Sequence, residues 1–176
     1  MQKFKKLTTL LAGAALVVGG VFATTAASAS PEPAQAAALT AQAEFPTPIR
    51  SQHNTNLCLT LAHFNAGDGA SVHMYECNGA DTQQWIFTGH AEIKSKFNGK
   101  CLDTSFGNHD NGASVAMFTC NGQPAQMWYR PYGGAIRTWQ SGNRCLEISG
   151  ANYWTGAALQ LWDCPDPQAW QRWWTA

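Results

Sequence analysis

Three stretches of the chain alternate apolar and polar residues with a period of two, and each ends on a cysteine. They are Ser71-Val72-His73-Met74-Tyr75-Glu76-Cys77, Ser114-Val115-Ala116-Met117-Phe118-Thr119-Cys120 and Ala158-Leu159-Gln160-Leu161-Trp162-Asp163-Cys164. That period belongs to a half-buried strand, so Val72 and Met74, Val115 and Met117, and Leu159 and Leu161 are assigned to an inner face. A loop closed by Gly-Ala precedes each stretch, at Gly69-Ala70, Gly112-Ala113 and Gly156-Ala157. Before the loop stands Cys-Leu: Cys58-Leu59, Cys101-Leu102 and Cys145-Leu146. Further upstream, Ile49-Arg50-Ser51, Ile93-Lys94-Ser95 and Ile136-Arg137-Thr138 each run into a polar or glycine-bearing turn. Gln-x-Trp closes the pattern three times, at Gln83-Gln84-Trp85, Gln126-Met127-Trp128 and Gln171-Arg172-Trp173. No segment of this pattern keeps a helical period. It predicts an all-β domain with four short strands per unit, about twelve in all.

The phase of these features shows one unit of about 43 residues written three times. Within each unit the two cysteines are 19 residues apart, and the first cysteines follow one another after 43 and 44 residues. The units run over about 47–90, 91–133 and 134–176 of a domain spanning 47–176. A unit this short cannot cover both faces of its own sheet. Three units around an axis can share one core, to which Trp85, Trp128 and Trp173 each bring a large ring.

The remaining residues change the picture in three ways. Lys3, Lys5 and Lys6, the uncharged stretch from Leu7 to Ala23 and the small residues Ala27-Ser28-Ala29 form the pattern of a secretion signal over 1–29. Residues 30–46, rich in Ala and Pro, are expected to be a linker or pro-segment, and the mature protein is expected to be secreted. Without the three leader lysines, 8 basic residues face 11 acidic ones, and no basic run remains. That balance excludes a nucleic-acid partner, which needs a clustered positive footprint, and no later stretch is long enough for a membrane span. The 6 cysteines all lie between residues 58 and 164. An even count in an exported chain points to a disulfide framework. Six cysteines allow 15 connectivities, a choice that internal repetition narrows. No CxxC or paired-His spacing occurs, so neither a metal nor another cofactor is expected.

Three Gln-x-Trp signatures, each in phase with a Cys-Leu…Cys pair, resemble the ricin B-type lectin family and the bacterial carbohydrate-binding modules of the same kind. The resemblance implies a β-trefoil with three intra-repeat disulfides. With the repetition, it gives the pairing Cys58–Cys77, Cys101–Cys120 and Cys145–Cys164. It also implies a sugar-contacting set in each repeat: an acidic residue two after the first cysteine, a polar residue four before the second and an aromatic platform two before it. The residue preceding the Gln of Gln-x-Trp, often Asn, and that Gln itself complete the set. A carboxylate accepts from vicinal hydroxyls while the aromatic face packs on the apolar side of a sugar ring.

Each repeat departs from that set. The first has His73, Tyr75 and Gln83, but Thr60 where the carboxylate would stand and Thr82 where Asn is common. The second has Asp103, Phe118 and Gln126, with Ala116 and Ala125 in two polar positions. The third is the fullest, with Glu147, Gln160, Trp162 and Gln171, and Trp170 before that Gln. The expected function is a secreted, non-catalytic, monomeric carbohydrate-binding protein, with the third repeat its best pocket and shallow sites gaining through avidity. The alternative is a trefoil interaction or inhibitor protein whose sugar pockets have degenerated. A small glycosidase is disfavoured, because two carboxylates must flank one bond and Asp103 and Glu147 occupy equivalent positions of different repeats.

Overall fold

Isoleucine two residues before a Ser or Thr opens each repeat, and all three isoleucines, Ile49, Ile93 and Ile136, are wholly buried. The computed structural model describes residues 45–131, 133–141 and 143–175. The expected signal over 1–29, and the expected linker apart from Phe45 and Pro46, lie outside the described residues. Among the described residues twelve strands form, four per repeat, joined by turns and by single turns of 3-10 helix. Six of them, β1 (Ile49–Ser51), β4 (Trp85–Phe87), β5 (Ile93–Ser95), β8 (Trp128–Tyr129), β9 (Arg137–Thr138) and β12 (Trp173–Thr175), form a short barrel. In it β1 pairs with β12, β4 with β5 and β8 with β9, all antiparallel. Bridges from Thr47 to Trp85 and from Ala135 to Arg172, with the Trp128 N–H donating to the Ala91 carbonyl, close the ring.

The other six strands make three hairpins: β2 (Leu57–Leu61) with β3 (Ala70–Glu76), β6 (Cys101–Thr104) with β7 (Val115–Phe118), and β10 (Arg144–Ile148) with β11 (Leu159–Asp163). They meet one another where β3 pairs with β7, His73 bridges Ala158 and Ser114 bridges Gln160. The architecture is a β-trefoil. The inner-face residues read from the alternation are all buried, and so are Leu59, Leu102 and Leu146. Trp85, Trp128 and Trp173 are buried in the same cluster. Each indole N–H donates to the carbonyl of a Cys-Leu leucine: Leu59 at 2.9 Å, Leu102 at 2.9 Å and Leu146 at 3.2 Å. A buried indole thus keeps its one donor satisfied, and the Trp of Gln-x-Trp ties barrel to hairpin. The disulfides join Cys58 to Cys77, Cys101 to Cys120 and Cys145 to Cys164, the pairing that repetition implied.

The three seams between repeats differ in chemistry. From the first repeat to the second, Asp68 accepts from the Lys100 ammonium at 2.8 Å and the Thr119 N–H at 2.7 Å, and Phe64 meets Phe97 edge-on. From the second to the third, Asn111 donates to Asp163, which also pairs with Arg144. From the third to the first, Tyr153 stacks on His53 with ring centres 3.6 Å apart. Gly134 serves the barrel closure. Its φ is +82°, and a Cβ there would lie 2.5 Å from Gln52 Nε2 and 3.0 Å from the Trp173 carbonyl. Only glycine fits so close an approach.

Candidate functional site

The antiparallel register of each hairpin brings together positions that are far apart in sequence. Thr60 faces His73, Asp103 faces Ala116 and Glu147 faces Gln160. One step along the same face, Cys58 faces Tyr75, Cys101 faces Phe118 and Cys145 faces Trp162. Directly opposed side chains lie about 5 Å apart. Each hairpin therefore presents a floor residue, its cross-strand partner and an aromatic ring as neighbours.

The Gln of Gln-x-Trp lies behind the floor, fully buried in all three repeats. Its carbonyl accepts a backbone N–H, from Asn78, Asn121 or Gln168. Its amide donates to a backbone carbonyl, of Glu76, Thr119 or Asp163, and to the floor residue itself. The floor contacts are 3.1 Å to the Thr60 hydroxyl, 2.9 Å to Asp103 Oδ2 and 2.6 Å to Glu147 Oε2. This amide orients whatever occupies the floor.

In the third repeat Glu147 is buried, and its second oxygen accepts from Gln160 Nε2 at 2.7 Å. Gln160 is held in turn by the Ser149 hydroxyl at 3.0 Å. Each carboxylate oxygen has a further lone pair to offer. Trp162, 43% exposed, stands beside this pair. Glu147, Gly150, Trp162, Gln168, Trp170 and Gln171 line one cavity of about 320 Å³. Trp170 stands on this cavity wall as Thr82, its equivalent before Gln83, stands on that of the first repeat.

The second repeat has a shorter floor. Asp103 is buried, and burial pushes its carboxyl above the usual carboxylate range against the pull of the Gln126 hydrogen bond. Ala116 opposite it offers no polar atom. Phe118 is half-buried and meets the almost fully exposed Phe106 edge-on, ring centres 6.1 Å apart. The first repeat has the larger cavity, about 530 Å³, lined by Thr60, His63, Phe64, Tyr75, Thr82 and Thr155 among others. Thr155 reaches in from the third repeat, a contribution the alignment of repeats does not reveal. His73 is half-buried on the same hairpin, and burial, aided by the charge of His63, holds its pKa below the ordinary value.

The residues of the turn after each Cys-Leu strand were not singled out from sequence. Position 63 and its equivalents 106 and 150 have φ of 56°, 59° and 64°. His63 and Gly150 line the cavities of their repeats. The available signal was position alone, five residues after the first cysteine. Glu92 lies close to Cys101 and Cys120, but those sulfurs are bonded to each other and are no thiolate ligands. Among the described residues no helix is long and apolar enough to cross a membrane.

Comparison with known proteins places this geometry. The sequence model of the ricin-type β-trefoil lectin domain matches residues 45–173. Among solved structures, a designed threefold-symmetric protein, ThreeFoil, is 22% identical with a TM-score of 0.66, over 74% of this chain and 97% of its own. The C-half of the earthworm R-type lectin, solved with GalNAc, is 18% identical with a TM-score of 0.64, over 74% and 97%. The β-trefoil lectin of Vibrio vulnificus hemolysin/cytolysin, solved with N-acetyl-D-lactosamine bound, is 24% identical with a TM-score of 0.62, over 76% and 95%. These likenesses are likenesses of fold. No curated protein matches the chain.

Proposed function

The chain belongs to the ricin-type β-trefoil lectin domain family, and on that premise we propose that it is a secreted, non-catalytic carbohydrate-binding protein whose principal site is the third-repeat cavity. One observation carries the reading. Glu147 is a buried carboxylate held from two sides by amides, at 2.7 and 2.6 Å, beneath a partly exposed indole in a shared cavity. An acceptor fixed in this way suits two neighbouring hydroxyls of a pyranose, and Trp162 suits its C–H face. Glu147 and Gln160 then contact hydroxyls, Trp162 stacks and Gln171 positions Glu147. Asp103, Phe118 and Gln126 form a second, weaker site. Tyr75 and Gln83 line a third whose floor is Thr60 in place of a carboxylate, with His73 opposite Thr60 on the same hairpin.

The three disulfides support an oxidising, extracellular setting. Acid–base cleavage of a glycosidic bond has little support, because Asp103 and Glu147 belong to different hairpins and each is bonded to its own Gln. A second reading, an interaction trefoil, draws on the first repeat, where a hydroxyl replaces the carboxylate under the larger cavity. Screening the mature chain, as a monomer, on a glycan and polysaccharide panel that includes GalNAc and N-acetyl-D-lactosamine separates the two. The lectin reading expects binding that the Glu147→Gln variant weakens. The interaction reading expects none.

A further inference from the structure

The turn that follows each Cys-Leu strand sets the conformation of Phe106, as it does that of His63 and Gly150, but nothing in the packing calls for a phenylalanine there. The Phe106 φ of 59° and ψ of 23° lie in the left-handed region, where an L-residue crowds its Cβ against the backbone. The third repeat places Gly150 at this position, the residue suited to it. Phe106 is 96% exposed, so its ring gains little from packing. Its nearest ring contact is Phe118, with centres 6.1 Å apart and planes inclined at 67°. An exposed aromatic in a disfavoured backbone conformation points toward a use outside the fold.

The position supplies the second, independent observation. His63 and Gly150, its equivalents, line the cavities over the first and third floors. The turn that carries Phe106, Ser105–Gly107, packs against Pro124–Gln126, which holds the Gln that orients Asp103. Phe106 and Phe118, inclined at 67°, form an L-shaped apolar corner on the Asp103 side of the hairpin.

We infer that Phe106 is a second stacking platform, and that the second repeat takes an oligosaccharide of at least two rings, the first on Phe118 over Asp103 and the next on Phe106. The inference rests on the carbohydrate-binding reading and adds to it a ligand length and a residue. A stacking contact of this kind is worth a factor of about three to ten in affinity. The third repeat, with glycine at this position, gains nothing from a second ring by this route.

The test isolates the second repeat in the full chain carrying Tyr75→Ala and Trp162→Ala, the other two platforms. This parent is titrated by NMR with two matched pairs, D-galactose against N-acetyl-D-lactosamine and D-xylose against xylobiose. For at least one pair the disaccharide should bind about three- to tenfold more tightly than the monosaccharide. Phe106→Gly and Phe106→Ala should both erase that preference and leave the monosaccharide affinity unchanged. They should differ in stability. Phe106→Gly relieves the left-handed conformation and raises the thermal midpoint above that of Phe106→Ala, which keeps it. A disaccharide preference that survives both variants overturns the inference and leaves the lectin reading standing, as does a midpoint for Phe106→Gly below that of Phe106→Ala. Failure of the parent to bind either pair removes the sugar reading of the second repeat, and this inference with it.

Discussion

Replacing Gln171 by Ala tests the claim that the Gln of Gln-x-Trp is a positioning residue with a structural role and a binding role at once. Three bonds are lost: from the Gln168 N–H at 3.0 Å, to the Asp163 carbonyl at 3.0 Å and to Glu147 Oε2 at 2.6 Å. Gln171 is buried, so water does not simply take its place. A bond to a charged acceptor is worth about 1.5–3 kcal/mol and a neutral one about 1 kcal/mol. The expected destabilisation is therefore about 3–5 kcal/mol. For a domain of this size it corresponds to a fall of roughly 10–20 °C in the thermal midpoint. Chemical unfolding at neutral pH measures it, with m unchanged if the effect lies in the native state. Sugar binding should fall as well, because Glu147 keeps only the Gln160 contact. The Gln83→Ala variant is the internal comparison. Its amide bonds a hydroxyl at 3.1 Å in place of a carboxylate, so it should cost less stability and leave third-repeat binding intact. A loss below about 1 kcal/mol for Gln171→Ala would refute the bond accounting. Full sugar affinity in a folded Gln171→Ala protein would refute the positioning role.

Three other perturbations follow from the same geometry. The Lys100 ammonium, with the Thr119 N–H, holds Asp68 below its ordinary 3.8. The stability it gives is present above that value and lost as pH falls through the lower folded pKa. Asp68→Asn should therefore lower the midpoint at neutral pH and flatten its decline between about pH 5 and 2, and an unchanged acid limb would contradict the seam. Burial raises Asp103 instead, so the folded state prefers it protonated and stability declines as pH rises through the carboxylate range. Asp103→Asn keeps an acceptor for Gln126, should remove that decline and should weaken second-repeat binding; a lower midpoint at pH 7 would count against this. Replacing Cys101 and Cys120 together by Ser should cost about 3 kcal/mol by the chain-entropy argument, measured by denaturant unfolding, and a neutral result would show that the second repeat does not depend on its bridge.

The fold was legible because its information is periodic. Cys-Leu, Gly-Ala and Gln-x-Trp recur in phase, and the alternation at Val72/Met74, Val115/Met117 and Leu159/Leu161 assigned the inner face that the structure buries. The candidate contact positions came from the family resemblance, and the antiparallel register sets the two hairpin positions of each set opposite one another. What escaped was whatever depends on contact between repeats. The reach of Thr155 into the first cavity and the stacking of Tyr153 on His53 arise from the threefold assembly, and no periodicity within one unit announces them. The first-repeat cavity, larger than that of the third, thus lies over Thr60 and not over a floor carboxylate. The left-handed turns escaped for another reason. Glycine is the usual signal for positive φ, and at His63 and Phe106 the chain forms the turn without it.

The third repeat holds the proposed principal site, and Trp162→Ala tests it most directly. The protein and the variant are titrated by calorimetry against a glycan that the protein binds on the panel. Trp162 is 43% exposed on a strand edge, so its removal should leave the midpoint close to that of the parent. Affinity should fall by about 1–3 kcal/mol, as for other aromatic anchors of an interface. Equal affinity in the parent and in Trp162→Ala would contradict the assignment and transfer the principal site to Asp103 with Phe118.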